Sequence, residues 1–187
     1  MKQSTRAFLS GIVIAASGTT MDAEAQASLQ DVTQGFIDAV YLYCVPLVVD
    51  GIELSEELHP NAPSQIVPAS PQRSRNDGGP NWVIDGIGEI VVIEVVEARN
   101  MCSVSAYGPP AGQTFQALSN RLQWDDLGFV EIENDTSEPR VSRRRLRLER
   151  DGRTFELTMS GNDPGARGTL SRFSTLIAGV REVREKP

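Results

Sequence analysis

Histidine and cysteine are scarce in this sequence of 187 residues, which contains one histidine and two cysteines. A catalytic site with histidine as its base would have to use His59, which lies in a proline-rich stretch beside Pro60. General-base catalysis needs a firmly positioned group, so we interpret His59 as a solvated loop residue. Zinc sites need clusters of Cys and His, and we therefore expect no metal or other cofactor.

An excess of positive charge and long apolar runs are also lacking. The net charge of -7 argues against a general affinity for nucleic acid or for anionic membranes. Beyond the N-terminus we find no apolar stretch of the roughly 20 residues that a bilayer-spanning helix requires, so we expect no membrane span. Gly86-Ile87-Gly88 lacks the third glycine of a dinucleotide-binding motif.

Residues 1–27 have the three-part layout of a secretory signal peptide. A short basic region at Lys2 and Arg6 is followed by an apolar stretch and by an A-x-A-like site that ends at Ala27. We predict cleavage after Ala27, which leaves residues 28–187 as a single periplasmic or secreted domain. The alternatives are an ordinary first helix or an uncleaved anchor.

The two cysteines, Cys44 and Cys102, both lie in the predicted mature domain. Exported proteins meet oxidising conditions in which disulfides persist, so we predict a Cys44–Cys102 bridge. Closing a loop of this length is worth at most about 4 kcal/mol in the chain-entropy description. Two separate buried thiols are the alternative, and the absence of C-x-x-C spacing disfavours a redox-active pair.

Two helices are predicted. Apolar residues recur at three- and four-residue steps over residues 28–43, and Pro46 is expected to end this helix soon after Cys44. The second helix should follow Gly108-Pro109-Pro110 and end near residues 124–128, since proline is tolerated in a first helical turn.

A long irregular connection is predicted at residues 55–81, where five prolines interrupt any apolar period. We interpret it as a tolerated insertion on the surface or as a mobile loop, and the alternative is a loop with a function. Residues 169–183 fit either a strand or a helix. Gly179 and the β-branched residues around it favour a closing strand.

The best-defined local unit is a hairpin around the turn Asp151-Gly152. Its register follows from the turn, with Leu148 facing Phe155 and Leu146 facing Leu157 on the apolar side. On the other side the predicted pairs are Arg147 with Glu156, Arg145 with Thr158, and Arg143 with Ser160.

These patterns together predict an α+β fold. We expect a mostly antiparallel sheet of about five or six strands with two helices packed on one face. The predicted core comprises Phe36, Val40, Val91, Ile93, Val104, Phe115, Leu118, Leu146, Leu148, Phe155 and Leu157.

Seven arginines lie within residues 140–153, against two acidic residues. The hairpin places Arg143, Arg145 and Arg147 in a row on the face away from the apolar pairs. Such a row is a candidate site for a protein partner or for an anionic ligand, since guanidinium groups bind carboxylates and phosphates bidentately. The alternative is a solvated face that keeps the strand soluble. Nucleic acid is disfavoured because no aromatic residues interleave the arginines.

No motif identifies a reaction, so the sequence favours a non-catalytic, exported binding protein with another envelope or secreted protein as partner. One alternative is a small hydrolase that uses paired carboxylates, which only spatial separation would reveal. Another is an inhibitor or immunity-type protein that neutralises a second exported protein.

Overall fold

The computed structural model describes residues 20–56, 58–69, 81–124, 127–164, 166 and 173–183, with side chains described from Leu29 onward except at positions 88 and 89. The α+β class is confirmed, but the sheet has eight antiparallel strands rather than five or six. In chain order the elements are α1 (Thr20–Asp38), two π-helical segments (Ala39–Cys44 and Pro46–Asp50), β1 (Ile66–Pro68), β2 (Asn81–Ile84), β3 (Gly88–Val96), a 3-10 turn (Glu97–Arg99), β4 (Met101–Gly108), α2 (Ala111–Trp124), β5 (Val130–Asp135), β6 (Val141–Arg150), β7 (Arg153–Asn162) and β8 (Ser174–Val183).

The strands follow the order β1-β2-β3-β4-β8-β7-β6-β5 across the sheet. The last strand, β8, lies in the centre and joins the β1–β4 half to the β5–β7 half. The strand predicted for residues 169–183 is thus confirmed from Ser174 to Val183, and residues 169–172 lie outside the described part of the chain. The predicted signal sequence also falls largely outside it, although α1 already begins at Thr20.

The prediction that residues 55–81 are irregular is wrong for β1, a three-residue strand on the edge of the sheet. Ile66 is almost fully buried, and Pro68 pairs with Trp82 of β2. A proline is tolerated on an edge strand because one side of that strand has no ladder to complete. Residues 66–68 form a strand because they pair with β2. No local pattern of apolar residues could therefore predict it. Residues 70–80 lie outside the described chain.

The prediction that Pro46 ends the first helix is also wrong. The helical path continues to Asp50, where Gly51 closes it in the left-handed conformation at φ 70°. Pro46 lacks an N–H and its ring collides with a carbonyl in an α-helix. Here the path widens to π-type bonding, and the N–H of Val45 bonds five residues back to the carbonyl of Val40. Cys44 therefore lies inside the helical path.

By length and composition the helical stretch Leu29–Asp50 could cross a membrane, contrary to the expectation that no such stretch follows the leader. Two thirds of its apolar window is buried inside the protein, at 67%. Val40 and Cys44 are fully buried in the core against the sheet. This packing is typical of the core helix of a globular domain.

All the predicted core residues are buried, so that prediction is confirmed. Both helices cover the same face of the sheet. The Phe36 ring of α1 lies 6.2 Å from the Phe115 ring of α2, and both side chains belong to one cluster with Leu146 and Leu157. Alternate residues such as Tyr107 and Ile177 point to the opposite side and are exposed, and we call that side the open face.

Candidate functional site

The predicted hairpin register is confirmed over the whole β6–β7 pair. Asp151 and Gly152 both have positive φ, at 52° and 72°, as the favoured two-residue turn requires. Arg143, Arg145 and Arg147 accordingly lie in a row on the open face, opposite Ser160, Thr158 and Glu156.

Acidic residues of the edge strand β5 neutralise two of these arginines. Asp135 and Glu133 stand directly opposite Arg143 and Arg145. The ion-pair distances are 3.4 Å for Arg143–Asp135 and 3.1 Å for Arg145–Glu133. A hydrogen bond from Ser137 and the nearby Arg143 guanidinium hold the pKa of Asp135 below its usual value.

A β-bulge between Glu131 and Glu133 decides which acids reach the open face. Without that extra residue the alternation of side chains would place Glu131 and Glu133 on the same face. Instead Glu131 pairs with Leu146 on the helix-covered face, and Glu133 and Asp135 turn to the open face. This arrangement was not predicted from the sequence, although acids at every second position before the arginine row are its visible signal.

Glu156 on β7 lies between two arginines of the charged region, Arg147 and Arg181. Its carboxylate accepts hydrogen bonds from Arg147 at 2.9 Å and from Arg181 of β8 at 3.2 Å. The side chain is 5% exposed, while both arginines are about half exposed. The hydrogen bond from Arg147 lowers the pKa of Glu156, with a further contribution from Arg181.

The open face also carries exposed apolar side chains. Tyr107 is 52% exposed and Ile177 is 50% exposed. Ile90 precedes Val91, whose partner Ala106 precedes Tyr107, so Ile90 and Tyr107 are cross-strand neighbours on the same face. We call these three residues, Ile90, Tyr107 and Ile177, the apolar patch.

The apolar patch adjoins the arginine row. Ile177 pairs with Ser160 of β7, and Ser160 pairs with Arg143 of β6. Neighbouring strands are about 4.8 Å apart, so Ile177 and Arg143, with β7 between them, are two strand spacings or about 10 Å apart. The two features therefore form one continuous surface.

Arg144 has a different role from its neighbours in sequence. It points to the helix-covered face and is 9% exposed. Its guanidinium donates to Glu131 at 2.9 Å and to Gln116 of α2 at 2.7 Å. Arg144 therefore fastens α2 to the β5 edge of the sheet and does not belong to the open-face row.

A buried carboxylate, Asp38, lies where α1 passes into its π-helical continuation. It accepts hydrogen bonds from Gln34 at 2.8 Å, from Ser64 at 2.8 Å and from Arg121 of α2 at 2.9 Å. Ser64 is itself buried, so its hydroxyl is not placed for attack on a substrate. The arrangement anchors the loop before β1 to both helices.

His59 belongs to the same anchored loop, which corrects its interpretation as a solvated residue. The ring is half-buried, and Nε2 lies 2.9 Å from the carbonyl oxygen of Leu42. It meets the Tyr43 ring edge-on at 5.4 Å, and the Tyr43 hydroxyl donates to the carbonyl of Ser64. Burial, with a contribution from Asp38, raises the pKa of Tyr43. His59 thus serves packing in this structure.

The predicted disulfide between Cys44 and Cys102 is present. It joins the π-helical segment to the central strand β4, and both residues are fully buried. Within the described part of the chain, we find no group of three His, Cys, Asp or Glu side chains that could hold a metal ion.

The geometry therefore brings Arg143, Arg145 and Arg147 together with acidic partners and an apolar patch on the sheet face opposite the two described helices. Comparison with protein-family models, with curated proteins and with solved structures found no match to this chain.

Proposed function

We propose that this chain is an exported, non-catalytic binding protein that recognises another exported protein through the open face of its sheet. The observation that carries the proposal is the continuous surface formed by the apolar patch and the arginine row. Export is supported by the three-part signal layout of residues 1–27 and by the buried disulfide. The finer assignment, a signal peptide removed after Ala27 and a periplasmic or secreted location, is part of this proposal.

The surface has the composition of a protein interface. Aromatic and arginine side chains are enriched where proteins meet, and here exposed Tyr107 and Ile177 adjoin Arg143. Ser103, Ser105 and Gly179 lie on the open face of β4 and β8, the same strands that carry Tyr107 and Ile177. Such small residues allow a partner to approach the sheet closely.

The ion pairs of the open face favour a protein partner over a free anion. The arginines of the open face, Arg143, Arg145, Arg147 and Arg181, already pair with four acids, Glu133, Asp135, Glu138 and Glu156. Because these carboxylates neutralise the guanidinium charges, an inorganic or nucleic-acid phosphate would gain little net electrostatic attraction there. A protein partner can instead use the remaining guanidinium N–H donors while the intramolecular pairs stay intact.

The inhibitor or immunity-type alternative uses the same face, and only the identity of the partner separates it from other binding roles. The hydrolase alternative gains no specific support. The carboxylates of the open face are held by arginines, and Asp38 is buried in a satisfied network.

A photo-crosslinking amino acid at position 107, introduced into the full chain in its native host, tests the proposal. We expect a discrete adduct with one other exported protein. The same probe at Gln123, an exposed position of α2, should give no such adduct. Absence of any adduct at position 107 would overturn the proposal, and an adduct of twice the chain's own mass would assign the face to self-association instead.

The role of the arginine row is tested with the partner identified in that way. Replacing Arg143, Arg145 and Arg147 by Ser should weaken binding of the purified partner at least about tenfold, because interface arginines are frequent hot spots. A charge-matched control replaces Arg99, Arg150 and Arg153, which lie off the open face. Equal binding by both triple variants would remove the row from the interface.

A further inference from the structure

A second surface feature lies on the helix-covered side, away from the open face. It is a cleft of about 390 Å³ between the chain that leaves the second π-helical segment and strands β2 and β3. The volume is within the range of small-molecule sites, roughly 300–1,000 Å³. The described lining residues are Leu47, Glu53, Leu54, Trp82, Val95 and Glu97.

The floor of the cleft is apolar and aromatic. Leu47, Leu54, Trp82 and Val95 are partly buried and pack against the main core. Trp82 of β2 packs against the core and lines the cleft. A rigid aromatic ring with aliphatic neighbours suits the methylene stem of a ligand.

The charged groups of the cleft are all negative. Glu53 and Glu97 are exposed, and neither has an ion-pair partner in the described chain. Nearby Asp50, by contrast, is neutralised by Arg150 at 2.9 Å. No lysine or arginine is among the described residues that line the cleft.

We propose that this cleft binds an organic cation, a primary ammonium or guanidinium group carried on an apolar stem. The two carboxylates attract the charge and accept its hydrogen bonds. The indole of Trp82 adds a cation–π attraction, and the leucine and valine side chains cover the stem. Anionic ligands would be repelled, and a neutral apolar ligand would bring the two carboxylates close to apolar atoms without a counter-charge.

Two sources share this chemistry: a free amine, and a lysine or arginine side chain of a protein. The first test uses n-hexylammonium as the probe and the intrinsic fluorescence of the full chain as the readout. The protein has two tryptophans, and Trp124 is 84% exposed at the end of α2. A Trp124→Phe background makes Trp82 the single reporter.

We expect a saturable change in Trp82 fluorescence with n-hexylammonium and none with n-hexanol or hexanoate. In the same background, Glu53→Gln with Glu97→Gln should weaken binding at least about tenfold, since it removes both counter-charges. The control variant Asp31→Asn with Asp151→Asn removes the same net charge from exposed sites and should bind normally. Equal binding of n-hexanol, or unchanged binding by the Glu53/Glu97 variant, would overturn the proposal.

Peptides then separate the two sources. Competition by a lysine-containing peptide but not by its acetyl-lysine form would assign the cleft to a protein side chain, and competition by free amines alone would assign it to a small molecule. The cleft shares no residue with the open face, so failure here leaves the proposed function of the open face untouched.

Discussion

Gly161 shows how closely β7 approaches α2. A Cβ atom at this position would lie 2.6 Å from the Cβ of Ala111, 3.0 Å from Cζ of Phe115 and 3.0 Å from the carbonyl oxygen of Thr175. Ala111 and Phe115 are fully buried, so neither can move without disturbing the core. The glycine is therefore required by packing and not by backbone conformation.

We expect Gly161→Ala to lower the free energy of unfolding by about 1–3 kcal/mol, the usual cost of overpacking a core. Gly179→Ala is the matched control, because its Cβ would meet only Oγ1 of Thr158, at 3.6 Å. Urea denaturation of both variants measures the difference. Equal stability of the two would mean that the sheet and α2 separate more easily than the packing indicates.

Glu156 gives a second residue-scale prediction, on the pH dependence of stability. The hydrogen bond from Arg147 lowers the pKa of Glu156 in the folded state, so the unfolded chain takes up the proton more readily. This contribution to stability is therefore present above the ordinary glutamate pKa of 4.5 and is lost as the pH falls through the folded-state value.

Glu156→Gln should accordingly destabilise the protein by about 1–3 kcal/mol at neutral pH, and the difference from the wild type should be smaller at an acidic pH well below 4.5. Glu138→Gln is the control, because Glu138 is exposed and lies 3.8 Å from Arg143. We expect a change below about 0.5 kcal/mol for it at either pH. An equal loss of stability for Glu156→Gln at both pH values would contradict the link between Glu156 ionisation and stability.

At the scale of elements, Asp38 joins three parts of the chain: α1, α2 and the loop before β1. Its removal would leave donors of Gln34, Ser64 and Arg121 without their acceptor. The Arg121 side chain is 34% exposed and keeps access to water, so we expect a cost of about 1–3 kcal/mol, chiefly from the unsatisfied hydroxyl of buried Ser64.

We expect Asp38→Ala to release the loop first, because Ser64 is the loop's direct link to α1. Amide hydrogen exchange should accelerate over residues 58–69 more than over the β6–β7 hairpin. Asp31→Ala, an exposed change on the same helix, should leave both regions unchanged. Uniform acceleration across the domain would show that Asp38 supports global stability without a special role for the loop.

The disulfide joins the helical layer to the sheet in the same way. The double variant Cys44→Ala with Cys102→Ala should lose about 2–5 kcal/mol of stability by denaturation. We expect the double variant to keep the fold, because Val40 and Val104 remain buried beside the bridge. A loss below about 1 kcal/mol would mean that the reduced, unfolded chain is already compact.

Elements marked by a turn motif or by regularly spaced apolar residues were predictable from the sequence. The β6–β7 register follows from the Asp151-Gly152 turn, and α2 from its apolar face and preceding prolines. Three features depend on partners distant in sequence and were missed. The first is β1, which forms by pairing with β2. The second is the π-helical path past Pro46, which packing against the core stabilises. The third is the β5 bulge, which places Glu133 beside the arginine row.

At the scale of the whole molecule, charge is divided unevenly. Arginines of the described chain are largely paired with acids, as in Arg153 with Glu182 at 2.9 Å. The net charge of -7 therefore resides in carboxylates outside these pairs, such as Glu53 and Glu97. This division favours partners with positive groups at the cleft and a balanced interface at the open face.

The proposed export predicts the N-terminus and the thiol state of the native protein. Material isolated from the native source should begin at Ser28 and should lack the two thiol hydrogens of Cys44 and Cys102, as intact-mass spectrometry can determine. The full chain made in a reducing cytoplasm is the control and should retain Met1 and both thiols. Native material that retains Met1 and free thiols would contradict the export proposal.

The covalent link between Cys44 and Cys102 also makes the intervening chain a closed ring. A single cut by a protease anywhere between the two cysteines, including residues 70–80, would leave both fragments tethered. The nicked protein would migrate as one species until a reductant separated its halves. The segment between the bridge ends can therefore be cut by a protease without the two fragments separating.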